Sequence, residues 1–168
     1  MNTIRWKMPD QYLTEWYRNL SGAVKTAFYA AFAAGLAAHL YQFTNKLYNY
    51  DELAENHIFV GAYDGDKCIG LAILRHSWFK YMYLYDLKVS KDYRRQNIGE
   101  LLIEKAKEIT VQHGYNGLYT QGQDNNLGAC LFYIKRGFVI GGLNTNVYKG
   151  TKQEGKADIY FYCDVNQI

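Results

Sequence analysis

The sequence predicts a single α/β domain, and three observations carry that reading. Runs rich in β-branched and aromatic residues at Ile58–Tyr63, Cys68–Leu74 and Tyr81–Val89 read as strands. Ile98, Leu101, Leu102, Ala106 and Ile109 recur at helical spacing, and Gly114 stands where a helix would close. At 168 residues, 49% hydrophobic and 21% charged, the chain fits one core. The predicted order is strand, helices, three strands, helix, strand, helix, two strands, which is an α/β arrangement.

Taken in order, Thr3 to Met8 form a first strand that Pro9-Asp10 ends. Gln11 to Leu20 read as a short helix with Leu13, Trp16, Tyr17 and Leu20 on one side, and Ser21 can cap the next. Residues 22–43 are the most apolar stretch and long enough to cross a membrane. Lys25 and His39 interrupt them and most of their apolar residues are alanine, so a helix packed in the protein is the better expectation. Residues 45–56 are polar, a loop or short helix. Asp64-Gly65 is a hairpin signal between the next two strands, and Arg75 to Lys80 leads into the central strand.

In that strand, Met82, Leu84, Asp86 and Lys88 share one face, and Tyr83, Tyr85, Leu87 and Val89 the other. Beyond the long helix, Gly117 to Gln123 is a strand. Asp124, Asn125 or Asn126 caps a helix running to about Arg136, which Gly137 stops. Phe138 to Tyr148 and Ala157 to Asp164 form a closing antiparallel pair, joined by the polar segment Lys149 to Lys156.

Composition narrows the function. A net charge of +3 is too small to point to nucleic acid. Cys68, Cys130 and Cys163 lack metal-ligand spacing, and the histidines form no ligand motif, so no metal is expected. With no basic-then-apolar leader, a reducing cytoplasm and free thiols are expected. The seventeen tyrosines fit a core or an aromatic pocket.

The chemistry concentrates in Arg94-Arg95-Gln96-Asn97-Ile98-Gly99, a basic loop between strand and helix. A helix N-terminus presents unpaired N–H groups and partial positive charge, which suit phosphate. Gly99 lets backbone approach a ligand, and Asn97 tolerates positive φ. The same local pattern also fits an ordinary strand-to-helix connection with solvated arginines.

Two signatures in sequence resemble the GNAT superfamily of acetyl-CoA-dependent N-acetyltransferases. That family's pyrophosphate loop reads Arg/Gln-x-x-Gly-x-Gly/Ala after a strand ending in Val. Here Val89 is followed by Arg94-x-x-Asn97-x-Gly99, with Asn97 in place of the first glycine. Downstream, Asn126-Leu127-Gly128-Ala129, Phe132-Tyr133 and Gly137-Phe138 match the second signature. The longer runs around both are similar to the streptothricin acetyltransferase branch. The likeness covers roughly Asp64 to the C-terminus and is poor over the first fifty residues.

The resemblance implies one GNAT domain over residues 1–168, with a mixed, mostly antiparallel sheet flanked by helices. It implies acetyl transfer from acetyl-CoA, as cosubstrate, to a primary amine of a small molecule, such as a streptothricin-like or aminoglycoside-like antibiotic. A peptide or protein amine, or a CoA-binding module without catalysis, are the alternatives. Arg94, Arg95 and the N–H groups of Gln96, Asn97, Ile98, Gly99 and Glu100 would hold the pyrophosphate. The backbone of Leu87, Lys88 and Val89 would hold the pantetheine arm. Asn126 would contact the cofactor, cap its helix, or both. Tyr133 would be the general acid to the CoA sulfur, and Asp86 the base, directly or through water. Related enzymes often carry an acidic residue where Tyr85 stands. Cys130 faces no identifiable base, which disfavours an acyl-cysteine. A homodimer is compatible with the reading; nucleic acid and membrane are not expected partners.

Overall fold

In the computed structural model, residues 5–7, 56–65 and 67–165 are described. The expectations for residues 8–55, including the helix over 22–43, lie outside them. The elements are β1 Arg5–Lys7, β2 His57–Asp64, β3 Lys67–Arg75, β4 Tyr81–Val89, α1 Ile98–Gln112, β5 Gly117–Gln123, α2 Leu127–Lys135, β6 Val139–Asn144 and β7 Asp158–Asp164. A 3₁₀ turn, Lys91–Tyr93, follows β4. The strand order is β1-β2-β3-β4-β5-β7-β6. The chain divides into two compact units, Met1–Ile73 with Asp86–Leu102, and Leu74–Tyr85 with Ile103–Ile168.

In the first unit, β1 runs antiparallel to β2, with Arg5 opposite Tyr63 and Lys7 opposite Gly61. The β2–β3 turn uses Gly65 at φ 58°, the left-handed conformation its Asp-Gly signal anticipates. Ile58 to Ala62 and Cys68 to Leu74 are buried without a break, so both faces of these strands are covered. Gly70 is required by packing. A Cβ there would lie 2.8 Å from Ile98 Cγ2 and 3.0 Å from Leu102 Cδ1. The first turn of α1 therefore rests directly on β3.

In the second unit, β4 and β5 are parallel, but their register covers only Tyr81↔Gly117, Met82↔Leu118 and Tyr83↔Tyr119. By contrast, β5 pairs antiparallel with β7 along its whole length, from Gly117↔Asp164 to Gln123↔Asp158. β6 pairs antiparallel with β7 through an irregularity between Ile140 and Gly142. One face of β5 and β7 is apolar: Leu118, Thr120, Phe161 and Cys163 are buried. Helix α2 covers it, with the Tyr133 ring 5.5 Å from Phe161. Burying side chains of this size contributes about 1.5–3 kcal/mol each. The other face carries Tyr81, Tyr83 and Tyr85 of β4, Tyr119 of β5, and Tyr160 and Tyr162 of β7. Tyr83 stacks on Tyr119 at 4.6 Å, and Tyr119 on Tyr162 at 5.8 Å.

The buried stripe of α1 is wider than the expected one and leaves out one of its members. Ile98, Leu102, Ala106 and Ile109 are buried as expected, with Ile103 and Thr110 beside them, while Leu101 is 38% exposed. Thr110 is accommodated because its hydroxyl donates to the Ala106 carbonyl at 2.7 Å. β6 is shorter than the Phe138–Tyr148 expectation, ending at Asn144. There Asn144 Oδ1 accepts from the Asn146 N–H at 3.1 Å and turns the chain.

Candidate active site

The basic loop after β4 belongs to the first unit and is pinned at its start. Ser90 N–H donates to the Ile69 carbonyl at 2.9 Å, and Tyr93 hydroxyl donates to Asp64 at 3.1 Å. The Lys67 ammonium lies 5.1 Å from the Tyr93 ring centre. Beyond these anchors, Arg95 and Asn97 both have left-handed backbones, with φ 60° and 63°. Asn97 thus adopts the conformation for which the family pattern uses glycine. The first hydrogen bond of α1 is donated by Leu101 to the Asn97 carbonyl at 3.0 Å. The N–H groups ahead of it form the head of the helix, where an anion is favoured.

The two arginines are not equivalent. Arg94 Nε donates to the Val89 carbonyl at 3.2 Å, so this side chain braces the loop. Among the described residues, Arg95 has no hydrogen-bond or ion-pair partner, and it is exposed. Gln96 turns its amide back to the Asp92 carbonyl at 3.0 Å. Its side chain is committed to the loop, leaving its backbone for a ligand. Ile98 is buried and fixes the helix start, while Gly99 and Glu100 are half-buried.

Asp86 also lies in the first unit, on the strand leading into the loop. Its Oδ2 is 2.9 Å from Lys88 Nζ, the next residue on the same strand face, and its side chain is 19% exposed. The expected carboxylate is present, but an ammonium of its own strand engages it. Leu87, Lys88 and Val89 are half-buried, as the end of β4.

Asn126 and Tyr133 belong to the second unit. Asn126 is the N-cap of α2, its side chain accepting from the Ala129 N–H at 3.3 Å. Tyr133 is buried, its ring 5.7 Å from Phe132, 5.4 Å from Phe138 and 5.5 Å from Phe161. The aromatic cage fixes the ring by contacts a phenylalanine would also make. Cys130 is buried and its Sγ lies 3.6 Å from the Gln123 carbonyl. Burial pushes its thiol pKa up, which removes thiolate and fits the reading against an acyl-cysteine. All three cysteines are free, as expected.

Two features escaped the sequence reading. Where the β4–β5 pairing ends, the buried Thr120 hydroxyl donates to the Leu84 carbonyl at 2.9 Å. A side chain there takes a place that a ladder bond would otherwise fill. A threonine inside a strand gives no sign of this, because its partner is set by where β4 and β5 part. The second is the tyrosine face. Burial pushes the Tyr83 phenol up to about 12, so it stays protonated and donates to Gln121 at 3.2 Å. The Arg75 guanidinium lies 4.9 Å from the Tyr83 ring centre and 5.7 Å from that of Tyr85. Strand alternation puts these tyrosines on one face, but only the pairing of three strands brings them together.

Residues 17–138 match the sequence model of the acetyltransferase (GNAT) family. Streptothricin acetyltransferase A of Bacillus subtilis (strain 168) is 35% identical over 97 residues, 58% of this chain and 56% of that protein. A streptothricin acetyltransferase of Escherichia coli is 28% identical over 113 residues, 67% of this chain and 65% of that one. The chain thus spans between about half and two thirds of these curated relatives. Among solved structures, a Bacillus anthracis str. Ames protein described as a streptothricin acetyltransferase, in complex with acetyl coenzyme A, superposes with a TM-score of 0.65. It is 35% identical, over 73% of this chain and 71% of that one.

Proposed function

This chain belongs to the acetyltransferase (GNAT) family, and from that membership we propose that it transfers the acetyl group of acetyl-CoA to a primary amine of a small molecule, a streptothricin-like antibiotic first among them. The observation that carries the reading is the loop from Arg94 to Glu100. It combines two cations, two left-handed residues and a helix N-terminus. That combination suits a pyrophosphate. The choice of acceptor rests on the relatives named above.

In this mechanism Arg95 and the backbone N–H groups from Gln96 to Glu100 hold the pyrophosphate, with Arg94 bracing the loop. Backbone groups of Leu87, Lys88 and Val89 align the pantetheine arm and polarise the thioester carbonyl. Oriented donors of this kind contribute on the order of 3 kcal/mol. The ammonium must lose a proton before it attacks. Asp86 takes that proton directly or through water, once Lys88 yields its contact. Attack forms the C–N bond and expels CoA as a thiolate. Tyr133 protonates the sulfur, while Asn126 holds the start of α2. The chain works as one catalytic domain in the cytoplasm, where its thiols stay reduced.

A homodimer fits the outer surface of the second unit. Leu127, Leu131 and Ile134 on α2, and Val139, Ile140 and Leu143 on β6, are exposed. β6 is last in the strand order, so it can pair with its own copy and cover these residues.

The deciding experiment incubates the protein with acetyl-CoA and a panel of amines that includes streptothricin, and follows thiol release. Streptothricin-dependent release and a product heavier by one acetyl group are expected. Absence of release with every amine would overturn the reading.

A further inference from the structure

We propose that Asp158, at the start of β7, is the floor of a subsite that holds an ammonium group of the acceptor, with the tyrosine face as its wall. The proposal deepens the amine-acetyltransferase reading and rests on it. Asp158 is 8% exposed, and it is the buried carboxylate among the described residues. Its partner is the Tyr148 hydroxyl, which donates to Oδ1 at 2.7 Å. Among the described residues, no lysine, arginine or histidine nitrogen lies within 4.0 Å of it. A buried carboxylate without a cation is costly, and one phenol leaves most of its acceptor capacity unused.

The surroundings point to the missing partner. Asp158 lies opposite Gln123 on β5 and Asn144 on β6, and one step along, Tyr160 lies opposite Gln121. These residues share the face that carries Tyr83 and Tyr85. The rings of that face accept cations, because Arg75 already lies over two of them. A buried anion beside half-buried aromatic rings, with amide side chains opposite it, selects an ammonium over a neutral or anionic group. A purely structural role is the competing account. Tyr148 heads the polar segment before β7, and Asp158 would then do no more than tether it.

The experiment separates the two accounts. Steady-state kinetics with streptothricin should show Asp158→Asn raising the acceptor KM by about tenfold or more. The KM for acetyl-CoA should stay within about twofold, and Asp158→Glu should recover part of the loss. A tether alone would lower thermal stability and leave the two KM values in proportion. An acceptor KM within about twofold of wild type would overturn the proposal. A second measurement needs no variant and no turnover. Calorimetric titration of the wild-type protein should show 1,5-diaminopentane binding about tenfold tighter than 5-aminopentan-1-ol, which lacks the second ammonium. Equal affinities, or no binding of either, would overturn the subsite. If the wild type acetylates no amine, the activity reading falls, and the titration still decides the subsite.

Discussion

The Thr120 hydroxyl meets the Leu84 carbonyl at 2.9 Å, one residue beyond the last β4–β5 register pair, Tyr83↔Tyr119. Both residues are fully buried or nearly so. Thr120→Val keeps the shape and removes the donor. The Leu84 carbonyl then loses this partner out of reach of water, at a cost of about 1–3 kcal/mol. Urea unfolding should show that loss at an unchanged m-value. Stability within experimental error of wild type would mean that the carbonyl finds another donor.

The unequal arginines make a sharper prediction than the pair alone. Arg95→Ala should weaken acetyl-CoA binding, by about tenfold for a lost charge-assisted contact, and leave thermal stability unchanged. Arg94→Ala should weaken binding and also lower stability, because the Val89 carbonyl loses its donor. Calorimetry and thermal unfolding at matched salt would check both. Unchanged affinity in both variants would remove the loop from the cofactor site.

At Asn97, φ 63° sets the rule for substitution. Asn97→Gly should preserve affinity and stability, since glycine takes this conformation without strain. Asn97→Val should cost about 1–2 kcal/mol, because a β-branched residue strains there. The two variants compared by denaturant unfolding would show the difference, and equal stability would refute it.

Tyr133→Phe keeps the ring contacts with Phe132, Phe138 and Phe161 and removes only the hydroxyl. If the phenol protonates the departing thiolate, kcat should fall by roughly 10²–10⁴-fold with acetyl-CoA affinity little changed. A kcat within about twofold of wild type, measured with chemistry rate-limiting, would leave Tyr133 a packing residue only.

His76 carries a pH dependence. Its ring centre is 5.1 Å from that of His113. Burial, then the like charge of His113, pushes its pKa below the usual 6.5. The unfolded chain therefore takes up this proton more readily than the folded one. The stabilising contribution is complete above about pH 6.5 and is lost as pH falls through the lower folded value. Thermal unfolding between about pH 7.5 and about pH 5 should show the decline. His113→Gln should make the decline shallower, and an identical slope in that variant would refute the coupling.

Local chemistry fixed much of this protein before any contact was known. The alternation of Tyr81–Val89, the Gly114 and Gly137 stops, and the Asp64-Gly65 turn depend on neighbours a few residues apart, and each stands where expected. The left-handed Asn97 was legible for the same reason, and the cap of α2 to within three adjacent residues, of which Asn126 is the one used. Other features arise only when distant segments meet. Thr120 filling the gap beside Leu84 depends on the paths of two strands that sequence spacing does not encode. The tyrosine face needs β4, β5 and β7 in register, and the burial of Asp158 needs Tyr148 brought over it from beyond β6. Propensity is local and can be read from one segment at a time; burial and partnership belong to surfaces that exist only once the strands have paired.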